Sequence, residues 1–168
     1  MRILGVDPGL RLTGYACLET RPADRRGARG WSSDPGATIV EAGVLRLNTR
    51  LGVPDRLVEL DRDFREVLQR LRPDAVAVEQ LFASYRHPAT AIVMGHARGV
   101  LLLAVRSAPL PLIELRPTEV KKSITAYGHA GKAQVQDAVQ SIFRLAQRPR
   151  PPDVADAIAI ALCAVRRA

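Results

Sequence analysis

An ionised carboxylate costs several kcal/mol when it leaves water unpaired, so chains keep most Asp and Glu residues on polar faces. Four acids of this 168-residue chain are placed otherwise. Asp7 lies in ILGVDPG, Glu79 in AVAVEQ, and Asp153 and Asp156 in DVADAIAIAL. The apolar and small residues around them mark segments that fold inward. A buried set of acids usually shares a cation, and a divalent metal is the natural candidate.

Composition narrows the setting. At 47% hydrophobic, a chain of this length suits one domain over residues 1–168 with a substantial core. The 25 Lys and Arg outweigh 17 Asp and Glu, and the net charge of +8 favours a polyanionic partner, chiefly nucleic acid. Cys17 and Cys163 stand apart among apolar neighbours, which reads as two core thiols in a reducing compartment rather than a disulfide or zinc site. Asp7 interrupts the first apolar run too early for a signal peptide, and no unbroken apolar stretch nears the roughly 18 residues of a membrane span. A soluble, cytoplasmic protein is expected.

Three strand-like runs come first, Ile3 to Asp7, Leu12 to Leu18 and Ala37 to Leu47, and the turns between them imply antiparallel pairing. The second and third are separated by an arginine-rich insert, residues 19–36, which has Trp31 as its only aromatic and reads as a basic loop. Leu57, Leu60, Phe64, Val67, Leu68 and Leu71 have helical spacing from Pro54 onward, and AVAVEQ follows as a buried strand. A second helix, from about Ala89 to Val105, carries Gly95 and Gly99; its glycines point to close approach of another backbone, either the sheet or a second subunit. Leu112 to Leu115 is a fifth strand. Helices then start near Thr118 and Lys132, and a last one runs to about Val165. The expected fold is α/β, a mixed five-stranded sheet flanked by helices in ribonuclease H-like order.

In that order Asp7 and Glu79 end two strands, and Asp153 and Asp156, three apart, share one face of the final helix. Each acid also has a local explanation: Asp7 holding the Pro8-Gly9 turn, Asp153 capping the helix, Glu79 or Asp156 partly solvated. Asp156 fits its local explanation least, given its apolar helical neighbours. Four oxygen-only groups match Mg²⁺ or Mn²⁺ rather than zinc, and two such ions suit phosphodiester hydrolysis.

GVDPGLRLTGYA, VEQLF, the GHARG helix, EVKKSITAYGHAGKAQVQ and DVADAIAIA occur in order over nearly the whole chain. Together they resemble the RuvC family, the bacterial Holliday junction resolvases. The resemblance implies a homodimeric, two-metal endonuclease that binds four-way junction DNA, nicks strands of like polarity in pairs and works beside RuvA and RuvB. It matches Asp7, Glu79, Asp153 and Asp156 to the family's catalytic, metal-binding acids. It matches Lys121 and Lys132 to two functional lysines that contact the phosphate backbone or support the reaction. Lys122 competes with Lys121 for the DNA contact, and all three would otherwise be ordinary solvated lysines. Phe82, in a loop-like segment, matches an aromatic that stacks on an unpaired base; its bland alternative is the core.

The insert is longer and richer in arginine than the family pattern. Three other readings stand beside this one: a related nuclease for structured RNA of the YqgF type, a junction-binding module that does not cut, and a phosphate loop like that of actin-like ATPases in DPGLRLTG. The last needs a second domain, for which the chain has no room.

Overall fold

The N-terminal alternation becomes an antiparallel meander in the computed structural model, which describes residues 1–20, 35–81 and 88–168. Strand β1 (Arg2–Asp7) pairs with β2 (Leu12–Thr20), and β2 with β3 (Ala37–Arg46). Helix α1 (Val53–Leu71) returns the chain so that β4 (Ala75–Glu79) lies parallel to β1. Helix α2 (Pro88–Ser107) does the same for β5 (Leu112–Leu115) beside β4. The sheet order is β3-β2-β1-β4-β5. Helices α3 (Pro117–Thr125), α4 (Lys132–Phe143) and α5 (Pro152–Arg167) complete the chain. This is the expected mixed five-stranded sheet; the main boundary differences are longer ends on α2 and α5.

Period-two alternation divides the core between the two sheet faces. Leu4, Val6, Cys17, Val76 and Val78 pack with Leu60, Phe64, Val67 and Leu71 of α1 and Ala97, Leu101 and Val105 of α2. Ile3, Ala16, Leu18, Ala77 and Leu115 pack on the other side with α5, Val120 and Ile124 of α3, and Val135 and Val139 of α4. Helix α1 follows the expected apolar spacing and stops where Arg72 takes a left-handed φ of 46° before Pro73.

Helix α5 lies unusually close to the strands. A Cβ added at Gly5 would come 2.5 Å from the Ala161 nitrogen and 2.8 Å from the Ala161 Cβ. One added at Gly14 would come 2.8 Å from the Asp153 carbonyl carbon. The alanines of α5 and these two glycines thus let helix backbone rest on strand backbone, burying Val154, Ala155 and the run from Ala157 to Ala164.

Of the two neighbours expected for Gly95 and Gly99, the sheet is not the one found. Among the described residues, a Cβ added at either meets nothing within 4 Å, so no described backbone approaches them. Ile92 and Leu103 of the same helix are 60% and 63% exposed. By length and mean composition alone α2 is apolar enough to cross a membrane, although His96 and Arg98 interrupt its apolar run. Its Arg98 nevertheless forms an ion pair with Glu114, and its Ala97, Leu101, Ala104 and Val105 are buried in the core.

Gly5→Ala is expected to lower unfolding free energy by about 1–3 kcal/mol, the range for overpacking. Urea denaturation measures this, and a variant as stable as wild type contradicts the backbone contact.

Candidate active site

The β1–β4 register pairs Val6 with Val78, which leaves Asp7 and Glu79 side by side at the carboxyl ends of neighbouring parallel strands. Alternation turns both toward the α5 side, as it does Ile3 and Ala77. Across the other edge of β1, Asp7 is the register partner of Gly14, the residue on which the Asp153 backbone rests. One further helical turn carries Asp156 on the same face of α5. The strand ends and the helix therefore bring all four acids to one end of the sheet.

The turn and cap explanations fail for Asp7 and Asp153, whereas Glu79 and Asp156 are half-buried and keep partial contact with solvent. The Pro8-Gly9 turn is held by the buried Thr13, whose hydroxyl donates to the Gly9 carbonyl oxygen at 2.6 Å and accepts the Gly9 N–H at 3.3 Å. Helix α5 has Pro151 at its N-cap and no side-chain cap, so Asp153 lies in the first turn without capping it. Its negative charge there is favourable to the helix dipole. The Glu79 backbone is fixed from both sides: its carbonyl oxygen accepts Arg98 Nε–H at 3.1 Å, and the next amide, Gln80 N–H, donates to Leu115 at 2.8 Å. Among the described residues, none closes a hydrogen bond or ion pair with any of the four carboxylates.

Electrostatics ties the group together. Burial, then the charges of Asp156, Glu79 and Asp153, push the Asp7 carboxyl well above its usual range against the pull of Lys132. Burial and Asp156 push Glu79 up to about 7, opposed by Lys121 and Lys132. Asp156 is raised by burial, with Lys132 lowering it, Asp153 raising it and Lys121 lowering it.

As they stand, no three His, Cys, Asp or Glu side chains among the described residues are drawn tightly enough together to enclose an ion. The donor set nevertheless suits a hard divalent cation: four oxygen-only groups with no described partner, three of them raised by burial and mutual repulsion.

Lys121 of α3 is half-buried, and Lys132 is the exposed first residue of α4. Both act on the acids, whereas Lys122 is exposed and does not figure in any of their shifts. Of the two neighbours, Lys121 is the one that faces the acids. A lysine at the first position of a helix opposes the helix dipole, so Lys132 is placed against local preference. Phe82 and residues 21–34 of the insert lie outside the described residues. Sequence reasoning missed Gly5, Gly14, Thr13 and Arg98. Their signals were present as glycines in strands facing an alanine-rich helix, a threonine four residues after the turn glycine, and the arginine inside GHARG.

A sheet of this order, with acids on two adjacent strand ends and two more on the helix crossing them, defines a ribonuclease H-like nuclease. The sequence profile of the family described as crossover junction endodeoxyribonuclease RuvC matches residues 3–164. The crossover junction endodeoxyribonuclease RuvC of Rhodopirellula baltica is 45% identical over 161 residues, covering 96% of this chain and 84% of that protein. Thermus thermophilus RuvC superposes with a TM-score of 0.79 at 33% identity, over 97% of this chain and 92% of that one. The structure of T. thermophilus RuvC in complex with Holliday junction substrate gives 0.81 at 32%, with the same coverage. The chain belongs to the RuvC family of crossover junction endodeoxyribonucleases.

The raised carboxyls cost stability. Glu79 ionises at its usual 4.5 when unfolded and about 7 when folded, so between those values the folded chain holds more protons. Stability in chelator is therefore expected to fall as pH rises through that window. Glu79→Gln should be more stable than wild type at about pH 8, by on the order of 2 kcal/mol, and little different near pH 4. Urea unfolding across pH checks this; a variant no more stable at alkaline pH contradicts it.

Proposed function

We propose that the protein is a Holliday junction resolvase, an endonuclease that makes paired nicks in strands of like polarity in four-way DNA junctions during recombination and repair. The observation that carries the site assignment is the placement of Asp7 beside Glu79 in β1 and β4, with the Asp153 turn of α5 resting on Gly14 next to them.

Divalent-metal dependence accords with the family and with this donor set. Asp7, Glu79, Asp153 and Asp156 would hold two Mg²⁺ ions, with Mn²⁺ able to substitute. When bound there, the ions supply activation of a water for in-line attack and stabilisation of the leaving 3′ oxygen. The chain's own residues position the DNA. Lys132, at the positive end of α4, and Lys121 set fixed cations beside the acids, where a phosphodiester must sit, and Lys122 adds charge on the outer face of α3. Arg98 keeps the Glu79 strand end in place through its carbonyl oxygen. Phe82 is assigned to an unpaired base near the crossover, as the family resemblance implies.

A two-fold enzyme suits a two-fold junction, since each site then faces one of two equivalent strands. The outer strip of α2, with Ile92, Gly95, Gly99 and Leu103, is the assigned subunit contact: it is apolar, exposed and, among the described residues, open at both glycines. RuvA and RuvB are the partner proteins implied by the family, and the cytoplasm is the compartment such an enzyme works in.

Asp7→Asn removes a charge and a metal ligand while keeping shape. Nicking of a synthetic junction should fall by about 100-fold or more while gel-shift binding persists. Lys132→Ala should also slow nicking. Near wild-type cutting by Asp7→Asn rules out the site, and preferential cutting of a structured RNA in the same assay redirects the substrate. Leu103→Glu should convert a dimer to a monomer in sedimentation, and an unchanged mass excludes α2 as the contact.

A further inference from the structure

The turn joining α3 to α4 carries two rings that the acid site does not use. Tyr127 is 59% exposed, the one exposed Phe, Tyr or Trp among the described residues, and its ring stands edge-on to that of His129 at 5.8 Å. An exposed phenol ring contributes little to folding, because its apolar faces remain in water.

The turn that presents it is rigidly built. Ala126 takes a left-handed φ of 61°, and its N–H closes α3 onto the Lys122 carbonyl oxygen at 3.0 Å. The Thr125 hydroxyl donates to the Lys121 carbonyl oxygen at 2.9 Å and accepts the Tyr127 N–H at 3.2 Å. Ala130 N–H donates to the Tyr127 carbonyl oxygen at 3.2 Å. Gly128 packs on the start of α3, where an added Cβ would lie 3.2 Å from the Thr118 carbonyl oxygen. The backbone at Tyr127 is therefore fixed, and its ring is held out from a stiff base.

Cations flank this turn. It joins the helix bearing Lys121 and Lys122 to the helix that opens with Lys132, and both Lys121 and Lys132 lie close enough to the acids to act on Glu79 and Asp156. A nucleic-acid strand whose phosphates meet these lysines passes the turn with its bases free to find a flat surface. Fixed positive charge beside an exposed aromatic face is the combination that holds unpaired bases, by stacking rather than by hydrogen-bond readout.

We propose that Tyr127, braced edge-on by His129, is a nucleobase-stacking face for an unpaired or splayed base of the DNA held at this site. The proposal rests on the junction-cutting function and adds a contact on the α3–α4 side, separate from the one assigned to Phe82.

The test is equilibrium binding of a fluorescent four-way junction in chelator, across a salt series, with wild type, Tyr127→Phe, Tyr127→Leu and Tyr127→Ala. Tyr127→Phe keeps the face and should bind as wild type. Tyr127→Ala and Tyr127→Leu should each lose about tenfold in affinity. The slope of log affinity against log salt should stay unchanged, since no phosphate contact is lost. Tyr127→Leu keeps an apolar side chain at the turn, so it reads the same loss should the alanine variant fold poorly. Unchanged affinity in the leucine variant, a loss shared by Tyr127→Phe, or a shallower salt slope overturns the proposal and leaves junction cutting intact. A changed sedimentation coefficient for Tyr127→Leu assigns the ring to a protein contact and also overturns it. Wild type that fails to bind the junction overturns the function, and this proposal with it.

Discussion

Everything at the acid end of this sheet depends on how closely one helix can lie on it. Helix α5 rests on β1 and β2 at two positions, Gly5 and Gly14, where no side chain could intervene. A larger residue at either would lift the helix, and Asp153 and Asp156 would move away from the strand ends that carry Asp7 and Glu79. The glycines bear no chemistry of their own. They set the distance at which four separate carboxylates become one group, and the alanines of α5 complete the fit from the other side.

That closeness has an energetic counterpart. Burial and like charge push Asp7, Glu79 and Asp156 upward together, and Lys121 and Lys132 offset only part of this. Neighbouring polar groups have partners of their own. Thr13 takes over the turn after Asp7, Arg98 takes the Glu79 carbonyl oxygen, and Tyr15 donates to Glu41, which also pairs with Arg70 on the opposite face. The carboxylates are thus relieved of structural duties.

Much of this was legible in the sequence for identifiable reasons. Strand alternation and the apolar spacing of α1 located the sheet and its cover, and acids inside apolar runs marked the residues that the fold gathers at one end of the sheet. The positions that resisted reading were those whose role depends on a distant partner. Gly5 and Gly14 look like ordinary strand glycines until the Ala157 and Asp153 backbones are placed over them. Arg98 could not be paired with Glu114 or the Glu79 carbonyl before β4, β5 and α2 were assembled. The choice between Lys121 and Lys122, adjacent in sequence, became meaningful only when α3 acquired an inward face. The glycines of α2 left two neighbours open, because helical spacing alone does not say whether the neighbour belongs to the same chain.

Arg98 also makes α2 a mechanical member of the site. Its guanidinium spans the carboxyl ends of two strands, touching the main chain of β4 and the Glu114 side chain of β5. No loop lies between the helix and this clasp. Any tilt of α2 is therefore delivered to the Glu79 strand end directly, as a displacement of its carbonyl rather than a relaxation along flexible chain. A helix with a largely exposed outer strip works here as a lever whose short arm ends at an acid of the site.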